Sequence, residues 1–396
     1  MLSTYEAILI LLKSFIQNEP PVLPDQPDFK ELYSVSKEQH IDGILGFIIS
    51  NYNLVPDQTI AQKFLDSYIS SLTINTNQTL KFEKLAKHLV QNNIALTVFK
   101  GYCVRKIYPI PELRSFSDVD ILIKEHDRKK SHTLMLDSGF KCNVEYGNVY
   151  NYKKGIEYYE LHTSLLGSDI LEEKNINNYL NTAWEHTVKT GNGIYEFEDE
   201  FHLIYLIAHI AKHIYYGGAG IRMYLDIALF VNNKPSFDYY HFIKTAEELG
   251  IGKFSCTVIK AACSWFSIDV PSYIKDKHEI DSETLYNLYL FTIDKGIYGN
   301  AMSSSGEATV QLMKKQGSKH PKFDAFLSVT FPKLKTMKLR YGYLEKAPYL
   351  LPIAWAHRVL TNLGSIKSKK RKVKDIMSTD NNIVIKHQSM LNNIGL

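Results

Sequence analysis

Between residues 90 and 94 the hydrophobic pattern changes its period, and that change restricts the chain to folds in which helices pack around a small sheet. Upstream, apolar residues recur at helical spacing in Ile8–Phe15, Ile41–Ile49 and Phe64–Leu72, with a proline-bearing loop at Asn51–Asp57. Ile94–Phe99 and Val119–Ile123 are instead short apolar runs rich in β-branched residues. The first stops at Lys100-Gly101, as a buried strand entering a tight turn would. Phe140–Tyr146, Val149–Lys153 and Ile156–His162 read as further strands divided by polar turns. Between them the spacing predicts a short helix over Tyr102–Tyr108, ended by Pro109 and Pro111, and a longer one over Glu125–Ser138, closed by Gly139.

Helical periodicity then returns in Glu200–Ile214, Tyr224–Val231, Tyr239–Leu249 and Cys256–Phe266. The expected class is therefore α+β, a mixed α/β core with a small mixed sheet flanked by helical regions. The boundaries fall at 1–84 for an N-terminal helical region, 85–170 for the α/β core, 171–330 for a helical domain and 331–396 for a basic C-terminal region.

A chain of 396 residues exceeds the usual single-domain size. Its hydrophobic share of 45% and charged share of 22% are those of a soluble globular protein, and no apolar stretch is long enough to span a bilayer. The N-terminus, apolar early but without a basic n-region or a cleavage site, reads as an amphipathic helix, which places the protein in the cytoplasm. Cys103, Cys142, Cys256 and Cys263 form no CxxC pair, so scattered reduced thiols are expected rather than disulfides or structural zinc.

The net charge of +4 is too mild to imply nucleic acid by itself, but the excess gathers toward the C-terminus in Phe331–Tyr343 and Lys367–Lys374. That region is either a basic face beside the active site or a solvated end. Leu350–Leu363, apolar and aromatic with cations after it, also permits loose contact with an anionic membrane surface, although such a stretch is more often core.

The most informative segment is Arg114-Ser-Phe-Ser-Asp118-Val-Asp120-Ile-Leu-Ile123. Two aspartates flank one apolar residue at the start of a strand, where side chains at i and i+2 share a face, so both carboxylates can reach one metal site. Hard oxygen ligands suit Mg²⁺, which takes one or two protein carboxylates and completes its octahedron with water and phosphates. A two-metal arrangement needs a third acid. Glu160 is the candidate, because Tyr158-Tyr159-Glu160-Leu161-His162 holds an acid between apolar residues, where an unpaired charge is costly. An isolated Asp-x-Asp is common in turns and at strand edges; its company gives it meaning. In Phe99-Lys100-Gly101 the glycine lets backbone N–H groups approach a phosphate and the lysine offers a point charge. Arg114 is close enough to reach a phosphate or to hold a carboxylate. His162 shares the strand face of Glu160, as a second donor, a phosphate contact or a packing residue.

This ordered set, with Tyr108-Pro109 and the later His209 and His213, resembles a bacterial family of poorly characterised nucleotidyltransferases within the DNA polymerase β-like superfamily, over roughly residues 30–360. The resemblance implies a polymerase β-like core in which Asp118 and Asp120 match the metal-binding acidic pair, Glu160 the third acid, and Lys100 and Gly101 the turn after the first strand. In the wider superfamily that turn is usually Gly-Ser or Gly-Gly; here it is Lys100-Gly101, the hydroxyl that often touches a phosphate is missing, and a lysine contact would replace it.

Further along, His202, His209 and His213 fall on one helical stripe. No carboxylate completes an H-E-x-x-H pattern and no cysteine is near, so zinc ligation lacks partners. The resemblance implies instead a cleft-facing helix with His209, Lys212 and His213 near nucleotide or acceptor. Arg222 and Asp226, one turn apart, can pair with each other or with the histidines.

The expected activity is Mg²⁺- or Mn²⁺-dependent transfer of a nucleoside monophosphate from an NTP donor to a hydroxyl of a small molecule, a protein or RNA. The catalytic and metal-binding residues would be Asp118, Asp120 and Glu160; Lys100, Gly101, Arg114, His162, His209, Lys212 and His213 would contact nucleotide or phosphate. Two alternatives stay open: phosphocholine transfer on the same fold, or an inactive domain that binds nucleotide or RNA through Lys369, Lys370, Arg371 and Lys372.

Overall fold

The computed structural model describes residues 3–144, 147–165, 175–215, 218–295, 309–310, 313–314, 317–338, 340–361, 376–377 and 381–396. Four helices open it: α1 (Thr4–Gln17), α2 (Phe29–Glu38), α3 (Asp42–Tyr52) and α4 (Gln58–Gln91). Asp28 and Asp57 cap α2 and α4 by accepting the first free amide N–H groups, and Ser3 with Glu6 forms a reciprocal capping box on α1. The long α4 serves two cores. Its Ile60 and Phe64 pack with the other N-terminal helices, whereas Phe82, Leu85 and Leu89 lie against the sheet.

Seven strands form that sheet: β1 (Leu96–Phe99), β2 (Val119–Ile123), β3 (Lys141–Val144), β4 (Val149–Lys154), β5 (Glu157–His162), β6 (Thr187–Gly191) and β7 (Ile194–Phe197). Their spatial order is β3-β4-β5-β2-β1-β7-β6. The β1–β7 and β2–β5 pairs run parallel and the others antiparallel, which makes the sheet mixed. β2 coincides with the apolar run read from the sequence; the end of the Phe140–Tyr146 stretch, at 145–146, lies outside the described residues.

Two expectations need correction. The Tyr102–Tyr108 helix is one α-turn, α5 (Gly101–Val104), continued by a 3-10 turn at Arg105–Ile107, because the chain tightens before its prolines. The stretch after residue 170, expected to be helical, includes β6 and β7, so the sheet extends to Phe197. β6 is a sheet-edge strand of mostly polar residues with Val188 52% exposed, and an edge of that kind carries little alternation to read.

The remaining helices used below are α6 (Arg128–Asp137), α7 (Ile176–Asn181), α8 (Asp199–Tyr215), α9 (Ile221–Asn233), α10 (Tyr239–Glu248), α11 (Gly252–Phe266), α12 (Ser272–Lys275) and α13 (Ser282–Lys295). All of them but α6 share one hydrophobic core with α1 to α3. Buried Gln39 ties the two ends of that core together: its Nε2 donates to the carbonyls of Thr292 and Ile293 at 3.1 and 2.9 Å, and its Oε1 accepts the Ile221 amide at 2.8 Å. A C-terminal helix, Asn381–Ile394, adds Leu391 and Ile394.

Pleating gives the sheet two distinct faces. Leu96, Val98, Val119, Ile121, Tyr159 and Leu161 pack with α4 and Met135 of α6. Phe99 and Leu122 join the helical core on the other side, toward α8. Residues 331–361 carry a small separate cluster of Met337, Tyr341, Leu344 and Ala354. The basic run Lys367–Lys374 lies outside the described residues. Among the described residues no helix is long and apolar enough to cross a membrane, and the four cysteines are free.

Candidate active site

Register brings the acids together. β1 pairs antiparallel with β2 so that Phe99 faces Asp120, and β2 pairs parallel with β5 so that Asp120 faces Glu160 and Leu122 faces His162. Asp120 and Glu160, 40 positions apart, therefore stand side by side on the face that α8 covers. His162 Nε2 donates to Asp120 Oδ1 at 2.8 Å and lies 3.6 Å from Glu160 Oε2. Ligand atoms of Asp120, Glu160 and His162 all fall within 4.8 Å of one another, a buried group that can hold a metal ion. Asp118, just before β2, is outside that trio but lines the same cleft, its carboxylate accepting from the Ser117 hydroxyl at 3.0 Å.

Lys100 closes the site from β1. Its Nζ donates to Asp120 Oδ1 at 2.5 Å, and its ring neighbour is Phe99, 5.6 Å from the ammonium. It sits at φ 54° and ψ −136°, a backbone region that favours glycine, so the strand-to-α5 turn stores strain at the residue that reaches the acids. Gly101 follows for a steric reason: a Cβ there would lie 2.3 Å from Arg114 Nη1 and 3.3 Å from Phe116 Cβ.

The charges respond to this crowding. Burial alone would raise Asp120, but Lys100 and His162 hold it down to about 2. Asp118 is raised by burial and by the nearby Asp120 and Glu160. Burial works against the Lys100 ammonium, yet Asp120, Tyr205 and Asp118 keep its pKa above that of an ordinary lysine. His162 likewise pays for burial but is raised by its contacts with Asp120 and Glu160.

Facing the acids, α8 presents His209, Lys212 and His213. His209 and His213 point their Nε2 atoms at each other, 3.1 Å apart, and His209 Nδ1 is buried without a partner among the described residues. Burial and then Lys100 push His209 well below the ordinary histidine range, and the same two causes lower Lys212. The sequence reading missed Tyr205, whose ring stacks on His209 at a 6.0 Å centroid distance and whose phenol is raised by burial beside Lys100. It precedes His209 by four residues, so the helical stripe already contained it.

Arg114, for which phosphate contact and carboxylate pairing were both open, is engaged by Asp226 of α9. Its Nε and Nη2 donate to Oδ1 and Oδ2 at 3.1 and 2.6 Å, while Tyr108 donates to Oδ1 at 2.5 Å and Nη1 to the Ser115 carbonyl at 3.0 Å. Arg222 donates to the same carbonyl at 2.5 Å and to the Ser115 hydroxyl at 2.9 Å. These bonds clamp the segment leading to Asp118 onto α9. Lys100, Gly101, Arg114, Asp118, Asp120, Glu160, His209, Lys212 and His213 all line one cleft of about 260 Å³, and His162 lies beneath it.

A mixed sheet that holds acids from adjacent strands, with cations and histidines opposite them, fits the polymerase β-like core of an enzyme that transfers phosphorus-containing groups. The chain belongs to a family of uncharacterised nucleotidyltransferases, whose model matches residues 25–267. No curated protein and no solved structure matches it significantly. Membership makes the chain a nucleotidyltransferase, with an NTP as substrate. The matched span includes the N-terminal helices from α2 onward as well as the sheet and α8 to α11.

Proposed function

We propose that the protein moves a nucleoside monophosphate from an NTP to an acceptor hydroxyl and releases pyrophosphate, with Mg²⁺ or Mn²⁺ held by Asp118, Asp120 and Glu160. The observation that carries this reading is the parallel register of Asp120 with Glu160, with Asp118 in the same cleft. The donor set suits a hard divalent ion: the oxygens are carboxylate, and the burial and acidic neighbours that raise Asp118 are what a bound cation would offset. Bound there, such an ion would withdraw charge from the α-phosphate and the leaving pyrophosphate.

The chain's own groups do the rest. Glu160 accepts the proton of the acceptor hydroxyl as its oxygen bonds to the α-phosphorus. The bond from that phosphorus to the bridging oxygen breaks, and pyrophosphate leaves with its electron pair. Lys100 and Lys212 neutralise the triphosphate, and His209 and His213 supply nitrogen contacts from the opposite wall. His162 orients Asp120 and Glu160 from below. Arg114 acts through Asp226, keeping the Asp118 segment in place.

The test is a parallel incubation of the purified protein and a cell lysate with α-labelled ATP, CTP, GTP and UTP and with labelled CDP-choline, in Mg²⁺, read by mass spectrometry. Nucleotide label on an acceptor, lost in Asp120→Asn, supports the reading. Label from CDP-choline alone, or transfer that survives Asp120→Asn, overturns it.

A further inference from the structure

The opposite face of the sheet carries a second cavity, of about 650 Å³, that the proposed reaction does not use. It lies between the C-terminal half of α4, β1, α5 and the β6–β7 hairpin, and Phe82, Ala86, Val90, Val98, Tyr102 and Ile194 form its apolar wall. Val98 points into it while Phe99, its neighbour in β1, packs on the side of the acids, so the sheet separates the two cavities. Its volume is in the range of small-molecule pockets, and it is larger than the active-site cleft of about 260 Å³.

Arg105, which also lines this cavity, gives it a chemical preference. The residue is only 9% exposed, and among the described residues its guanidinium has one hydrogen bond, from Nη1 to the Thr79 hydroxyl, with no carboxylate pairing it. Its Nε is buried with no partner among the described residues. The guanidinium carbon lies over aromatic neighbours, 4.5 Å from the Tyr102 ring centre and 5.9 Å from that of Phe116. Arg114, comparably buried at 6% exposure, shows what such a group normally requires: a carboxylate, supplied by Asp226. Of the other charged groups at this wall, Lys106 is paired with Glu196, and Lys87 and Glu83 line it as well. Among the described residues Arg105 is thus a nearly buried cation in ion-pair contact with no carboxylate, Glu83 of the same cavity included, beside a roomy apolar wall.

We propose that this cavity is a binding site for a small organic anion with a planar apolar body, its carboxylate, sulfonate or phosphate pairing with Arg105 and its body lying against Val90, Val98 and Ile194. A charge-assisted bond to a guanidinium supplies the affinity that the apolar wall alone lacks, and the aromatic stack beneath Arg105 keeps the guanidinium in place.

The full-length protein is titrated with two fluorescent probes of nearly the same body, anilinonaphthalene sulfonate, which carries the anion, and N-phenyl-naphthylamine, which lacks it. The sulfonate is expected to saturate at one site per chain and to bind at least roughly tenfold more tightly than the neutral probe. Arg105→Met should remove that difference, and Val90→Trp, which fills the cavity, should weaken both probes. Equal affinity of the two probes for the unaltered protein, a comparison that needs no variant to fold, overturns the proposal. So does sulfonate binding that persists unchanged in a folded Arg105→Met or Val90→Trp protein.

Discussion

Lys100 Nζ and Asp120 Oδ1 lie 2.5 Å apart, which puts a protein cation where a metal ligand would otherwise face its ion. The lysine therefore competes with a divalent cation for one carboxylate oxygen and is free to contact phosphate once displaced. Lys100→Met is expected to tighten Mn²⁺ binding in the absence of nucleotide by roughly tenfold, about 1.4 kcal/mol, while lowering nucleotidyl transfer. Electron paramagnetic resonance of free Mn²⁺ measures the first effect; an unchanged affinity would show that the lysine does not compete.

The two aspartates differ in what their replacement should do to stability. Asp118 is raised by burial and then by Asp120 and Glu160, so Asp118→Asn removes both the desolvated charge and the repulsion and should leave the melting temperature equal or higher. Asp120 binds both Lys100 and His162, so Asp120→Asn should lower it. Each variant, and Glu160→Gln, should reduce transfer on the order of 10³-fold, since several kcal/mol of charge stabilisation is removed. Thermal melts beside turnover assays check both statements.

Acid sensitivity should come from buried histidine. Burial holds His202 down to about 4 against an ordinary 6.5, so the unfolded chain takes up a proton that the fold refuses. Stability is then lost as pH falls from 6.5 toward 4, and below that window the loss is complete. Asp120 acts lower still: depressed to about 2 from 3.8, it stabilises the fold above 3.8 and loses that contribution as pH falls toward 2. Melting temperature against pH should slope less in His202→Leu than in the unaltered protein; parallel curves would remove His202 as the cause.

The clamp on α9 should be structural in its energetics. Asp226→Asn leaves Arg114 buried without its counter-charge and should cost about 3–5 kcal/mol, and Tyr108→Phe about 1.5–3 kcal/mol. Gly101→Ala should also destabilise, because its Cβ would meet Arg114 Nη1 at 2.3 Å. Urea unfolding midpoints give all three values, and a silent Asp226→Asn would show that the clamp is not needed.

Much of the site was legible because its signals are local. The β-branched run Val119–Ile123 specifies a strand whatever surrounds it, and Asp118-Val-Asp120 marks where its acids begin. Glu160 declared itself by being a charge between apolar neighbours, and the spacing of His209 and His213 needed only the helical period. The β6–β7 hairpin was not legible: β6 is a largely polar edge strand with no buried face to impose alternation, and the four-residue β7 is too short to show a period.

What the sequence determined by itself is the type of each central element and the chemical kind of group it carries, because period and residue type act over a few positions. Tertiary structure alone decided the partners: Asp120 beside Glu160, Lys100 on Asp120, Arg114 on Asp226 and, among the described residues, Arg105 on the Thr79 hydroxyl rather than a carboxylate. Strand register and helix docking join residues that are 40 or 112 positions apart, and no local pattern says which distant carboxylate a buried cation will meet.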